Sequence, residues 1–227
     1  MFFLRSERSV GLLDRLASRR PEHGPVENTA ARVEDLVFST KALRKFLSIL
    51  STKDGPTLLD LGPVVGPNIA FFGEQLGCKV LVEDVSLEIE RHTRTEQLEA
   101  LPAFLSKQFP QPDGSIDGIL CWDVMDHLDR PGAQALAEQL MRLLKPEGAL
   151  LAFFGTAQPH DAHYTRYIIV DDTSMKCRPY GATRERQSAL VNRDIIRLFE
   201  RLRVSDSFLL QNHLREILFR KPAYETS

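Results

Sequence analysis

Cysteine is scarce in this chain of 227 residues, and its three copies, Cys78, Cys121 and Cys177, are far apart. Their spacing offers neither a paired metal motif nor a disulfide framework, which predicts a reducing, cytoplasmic setting. Long apolar runs are missing too: none approaches the ~18 residues of a membrane span. The opening MFFLRSERSV is broken by charge after Leu4 and does not read as a secretory signal. Repeats and low-complexity tracts are absent. No charge of one sign dominates, since the formal net charge is −2. Nucleic-acid affinity rests on a broad positive surface with aromatics set among the cations, so the expectation is no nucleic-acid partner. The balance is uneven all the same: residues 164–221 carry twelve Lys/Arg against seven Asp/Glu.

What is present is a strand–turn–helix signal. Thr57 to Gly66 reads TLLDLGPVVG: a short apolar run, Leu58 to Leu61, closed by glycine, with a helical stretch opening at Pro67. A second strand, KVLVED, ends on Asp84, eighteen residues past Gly66. Glycines at such a turn let backbone approach a ligand, and a helix start presents free N–H groups. An acid after the second strand can hold ribose hydroxyls. The alternation continues with a helix at 86–99, a strand near 103–105, a strand at 116–122, a helix at 131–144 and a strand at 149–154. That order predicts an α/β domain with a parallel sheet covered on both faces. Tyr164–Val170 and Met175–Tyr180 read as a hairpin, 192–202 as a helix, and 203–211 with 214–220 as an antiparallel pair. Residues 1–20 suit an amphipathic helix, 21–28 a linker, and 29–50 a helix broken near Ser39. The division expected is an N-terminal helical extension over 1–50 and the α/β domain over 51–227, with the hairpin near 164–180 inserted.

Four segments, taken in order, resemble the class I S-adenosylmethionine-dependent methyltransferases. LLDLGPVVG is similar to the family's glycine motif and KVLVEDVS to its second strand. FPQPDGSIDGILCWDVMDHL is similar to the stretch through its fourth strand, and LMRLLKPEGALLAF to the helix, turn and fifth strand. The resemblance implies a Rossmann-like, doubly wound sheet of seven strands, mostly parallel with an antiparallel last strand, plus N-terminal helices. A dinucleotide oxidoreductase begins in the same way, but its fingerprint needs a third glycine inside the helix, which is lacking here. Two departures stand out: Val64 replaces the family's middle glycine, and Leu105 falls where its third-strand acid would be.

The resemblance also implies a site. Asp60, Gly62 and Gly66 would meet the amino-acid and ribose portions of S-adenosylmethionine, and Asp84 the ribose hydroxyls. Ser106, Cys121 and Trp122 would complete the cofactor pocket. Asp123, at the end of the fourth strand, is the candidate polar contact or base. His163 and Tyr164, after the fifth strand, are the candidates beside the acceptor, because histidine takes a proton near neutral pH and tyrosine positions a substrate. His160 completes an HxxH spacing without a supporting ligand cluster, so no metal is expected, and His127 reads as structural. Arg166, Lys176 and Arg178 give the hairpin a positive face, suited to a small molecule bearing carboxylate or phosphate. The hairpin's edge could equally pair with a second copy of the chain. The expected activity is methyl transfer to a small molecule; the alternative is a catalytically silent, methyltransferase-like binding module.

Overall fold

Leu58, Leu59 and Leu61 carry no exposed surface, and a strand buried on both faces must lie inside a sheet. The computed structural model, which describes residues 36–156, 163–183 and 190–223, puts it there. In chain order the strands are β1 (Leu36–Ser39), β2 (Thr57–Asp60), β3 (Lys79–Val82), β4 (Ile116–Trp122), β5 (Leu144–Gly155), β6 (His163–Ile169), β7 (Ser174–Gly181), β8 (Arg203–Leu209) and β9 (Leu214–Arg220). The α-helices are α1 (Leu43–Ser51), α2 (Gly66–Ala70), α3 (Val85–Arg94), α4 (Leu101–Gln108), α5 (Arg130–Leu143) and α6 (Asn192–Leu198). A wider π-type turn over Phe71–Gln75 extends α2.

Six strands form the main sheet in the order β3-β2-β4-β5-β9-β8. The first four are parallel, and β9 runs antiparallel to both β5 and β8. The expected antiparallel closing strand is therefore present, but the expected count of seven is corrected to six. The missing strand, read at 103–105, is the helix α4. Pro102 stands in its first turn, where proline is at home, and Leu101 and Leu105 are buried one turn apart. Residues 29–50 are also corrected. Leu36–Ser39 form a strand, not a helix, and pair antiparallel with β7 in a second sheet of order β1-β7-β6. The turn expected at Lys145–Gly148 lies within β5, with Glu147 in the left-handed region at φ 58°. The segments 1–20 and 21–28 lie outside the described residues.

Alternation along the central strands divides the core in two. Leu59, Leu61, Ile119, Cys121, Leu150, Ala152 and Phe154 face α3, α4 and α5. Leu58, Leu120, Trp122, Ala149, Leu151 and Phe153 face α1 and the second sheet. Helix α1 buries Leu43, Phe46, Leu47 and Leu50 there and so packs into the core of the domain. The fit is close at Gly118, where an added Cβ would stand 2.8 Å from Leu50 Cδ2 and 3.0 Å from Phe46 Cζ. Gly118→Val is thus expected to destabilise by about 2 kcal/mol through overpacking. Urea denaturation checks it, and an unchanged midpoint would contradict this packing.

The buried carboxylate of Glu216 on β9 accepts hydrogen bonds from the Thr40 hydroxyl and, at 2.8 Å, from the Lys41 backbone N–H. It fixes the passage from β1 into α1. Among the described residues no helix is long and apolar enough to cross a membrane.

Candidate active site

The carboxyl ends of β2, β3 and β4 meet at one rim, where open α/β sheets bind ligands. β2 runs straight into Leu61 and Gly62. The buried Asp60 carboxylate folds back to accept from the Gly62 backbone N–H at 2.9 Å and from the Trp122 indole N–H at 2.6 Å. Burial pushes the Asp60 carboxyl up to about 6; the two N–H donors oppose that rise and the charge of Asp84 adds to it.

Asp84 ends the β3 segment and caps α3. Its Oδ1 accepts from the Ser86 N–H at 3.1 Å and from the Ser86 hydroxyl at 2.5 Å. Ser86 Oγ in turn lies 2.8 Å from the Tyr180 hydroxyl, so the candidate ribose acid is tied to the hairpin. Burial is also the main reason the Tyr180 phenol is pushed up to about 12.

The second sheet roofs this rim. Asn68 of α2 holds β6 through Tyr167 O and the Ile169 N–H, each at 2.9 Å. On the α3 side, Glu90 accepts from the Thr183 hydroxyl and, at 3.0 Å, from its backbone N–H. Tyr164 lies 3.5 Å from the same Glu90 carboxylate and packs against His127 and Tyr180, with ring centroids 4.6 Å and 5.6 Å away. Register places Tyr164 opposite Tyr180 and Arg166 opposite Arg178. The Arg166 guanidinium lies over the Tyr180 ring at 5.2 Å, with its buried Nε lacking a hydrogen-bond partner among the described residues.

Between roof and rim is a cavity with space for no more than about one water molecule. Gly62, Ser86, Trp122, Asp123, Tyr164 and Tyr180 are among its walls, with Pro63, Val124 and His127.

Of the residues expected at the site, Gly62, Trp122, Asp123 and Tyr164 therefore converge on one cavity, and Asp60 and Asp84 bond to its walls. Four stand elsewhere. Gly66 is exposed at the start of α2. Ser106 lies exposed on α4 with its hydroxyl on Ala103 O, because the strand expected to carry it is a helix. Cys121 faces the core on the other side of the sheet from Trp122, its thiol pushed up by burial. His163 begins β6 opposite Gly181 and does not line the cavity. His160 lies outside the described residues. Burial also raises the Tyr164 phenol, so it stays protonated and can donate but not act as a base. Val64 is 67% exposed and does not line the cavity, and Leu105 is fully buried in the core.

Sequence reasoning missed Ser86 and Tyr180. Ser86 follows Asp84 at capping distance. Tyr180 is opposite Tyr164 once the hairpin is counted outward from its turn.

The sequence of residues 35–201 matches the model of a methyltransferase-domain family. The chain belongs to that family. Among proteins of curated function none matches it. Among the solved structures that resemble this methyltransferase domain at low identity are the following three. The 1,6-didemethyltoxoflavin-N1-methyltransferase of Burkholderia thailandensis, solved with bound 1,6-didemethyltoxoflavin and S-adenosylhomocysteine, is 17% identical over 80% of this chain and 78% of its own, with TM-score 0.44. A SAM-dependent methyltransferase from Aquifex aeolicus is 16% identical over 78% and 88%, with TM-score 0.45. A TehB-like SAM-dependent methyltransferase from Corynebacterium glutamicum is 18% identical over 79% and 87%, with TM-score 0.46.

Proposed function

We propose that this methyltransferase domain moves a methyl group from S-adenosylmethionine, the cofactor of its family, to a small acceptor that carries an anionic group. The observation that carries the reading is the convergence of Gly62, Ser86, Asp123, Tyr164 and Tyr180 on one cavity beside Asp60 and Asp84. The donor chemistry fits the cofactor: a buried carboxylate for its ammonium, an acid at the helix start for its ribose, and a glycine turn between them. The space is taken in this closed arrangement, because Trp122 covers Gly62 and the tyrosines fill the rest.

When bound, the cofactor supplies an electrophilic methyl on sulfur, so the protein's task is alignment and exclusion of water. The roof of β6 and β7 excludes water. Asp123, buried at the end of β4, is the group best placed to take a proton from an acceptor, and Tyr164 and Tyr180 would hold it by donation and stacking. Support for an anionic acceptor comes from the roof's register. Arg166 faces Arg178, and Lys176 follows on the same face, opposite Ile168. Three cations on one face of the roof attract an anionic acceptor as it approaches.

The second reading, a silent module acting through partners, is favoured by the same aromatic filling of the pocket. Calorimetry with S-adenosylhomocysteine separates the two. Binding by the wild type is the expected result, with Asp84→Ala weaker by about tenfold or more through loss of charge-assisted hydrogen bonds. Unchanged affinity in Asp84→Ala would remove its ribose role. No binding heat at millimolar ligand, from wild type or from the Trp122 variants described below, would favour the silent module.

A further inference from the structure

Trp122 is held in a conformation that a tryptophan rarely adopts. It ends β4 at φ 49°, in the left-handed region. Its side chain keeps it there. The indole N–H donates to Asp60, the ring lies flat on Tyr167 at 5.2 Å and 9°, and Phe153 packs at 5.9 Å. Indole Cδ1 and Nε1 come within 2.9 Å of where a Gly62 Cβ would be, so the ring fills the space above the glycine turn. Asp60 is 4% exposed, and the donors that reach its carboxylate are Gly62 and this indole. A neutral N–H is a weak partner for a buried carboxylate; a cationic donor forms a stronger, charge-assisted bond in the same place.

We propose that Trp122 is the gate of the cofactor pocket: its indole stands in the Asp60–Gly62 corner as an internal substitute for the ammonium end of the ligand. Binding displaces it, and the roof loosens with it, because the same ring is stacked on Tyr167 of β6. The proposal rests on the cofactor reading above and adds the residue that sets its affinity. Release lets the Trp122 backbone leave the left-handed region, which offsets part of the lost stacking. The gate therefore favours a ligand that brings both a cation for Asp60 and enough apolar surface to replace the ring.

Trp122 is the only tryptophan of the chain, so its emission reports its own displacement. Titrating the full-length protein with S-adenosylhomocysteine should shift that emission to the red as the indole leaves its stacked, buried position. In calorimetry Trp122→Gly, suited to a positive φ, should bind about tenfold tighter than wild type, an affinity no longer reduced by a closed population. Trp122→Phe, which keeps a ring but loses the N–H, should also bind more tightly, by less. It keeps the comparison available if the glycine variant does not fold. Binding to wild type with unchanged emission would overturn the gate and leave the cofactor reading intact, as would variants that bind no tighter. Failure of wild type and both variants to bind would sink the cofactor reading and the gate together. Binding by a variant alone would support both.

Discussion

Asn68→Ala is expected to destabilise the domain by about 4 kcal/mol and to loosen the roof before the main sheet opens. Asn68 is 2% exposed, and its amide serves β6 as a neighbouring strand would, taking the Ile169 N–H and giving to Tyr167 O. These are alternate residues on the outer edge of β6, the edge strand of its sheet, so no strand of that sheet stands ready to replace the amide. Alanine removes both bonds at once, and a buried backbone group left without its bond costs about 1–3 kcal/mol. Urea denaturation measures the total, and hydrogen exchange at Ile169 shows where protection is lost. Asn68→Asp is the informative companion, because it retains an acceptor for Ile169 but turns a carboxylate toward the Tyr167 carbonyl. A loss below about 1 kcal/mol in Asn68→Ala, with Ile169 still protected, would mean that β6 is held by its aromatic contacts alone.

How far the sequence could be read follows from what each feature depends on. β2, β4 and the 149–154 part of β5 are mainly apolar and bounded by turn residues, so periodicity and length sufficed to find them. Cys121 and Trp122 show the limit of reading neighbours as a group. Adjacent strand residues face opposite ways, and only Trp122 is on the pocket side. The helix expected over Leu36–Ser39 gives way to a strand because its partner, β7, lies more than a hundred residues away in sequence. The helix α4 was more accessible, since Leu101 and Leu105 at helical spacing after a favourable proline outweigh a family's expected strand. The filling of the pocket was beyond sequence reasoning. Nothing in DLGPVVG or ILCWD indicates that an indole will bond to Asp60, because that contact needs the side chains at the ends of β2 and β4 to be brought together in three dimensions.

Asp60→Asn should abolish a pH dependence that wild type shows between about pH 4 and 7. Burial raises the Asp60 carboxyl to about 6, against an unfolded value of about 4. The folded state therefore holds this proton more tightly than the unfolded chain. Stability contributed by the protonated group is complete below about pH 4 and is lost as pH climbs through about 6. A shift of two units corresponds to about 3 kcal/mol. Asparagine can still accept from Gly62 and Trp122 with its amide oxygen but does not titrate, so the stability difference, variant minus wild type, should rise by about that amount from pH 4 to 7.5. Any constant penalty for burying the amide N–H2 drops out of this slope. Trp122 emission should show a midpoint near pH 6 in wild type and none in the variant. Parallel stability profiles would show that Asp60 does not titrate in this range. Ligand affinity should carry the opposite sign. A protonated Asp60 cannot attract an ammonium group, so wild type should bind S-adenosylhomocysteine more tightly at pH 7.5 than at pH 5, while Asp60→Asn binds weakly at both.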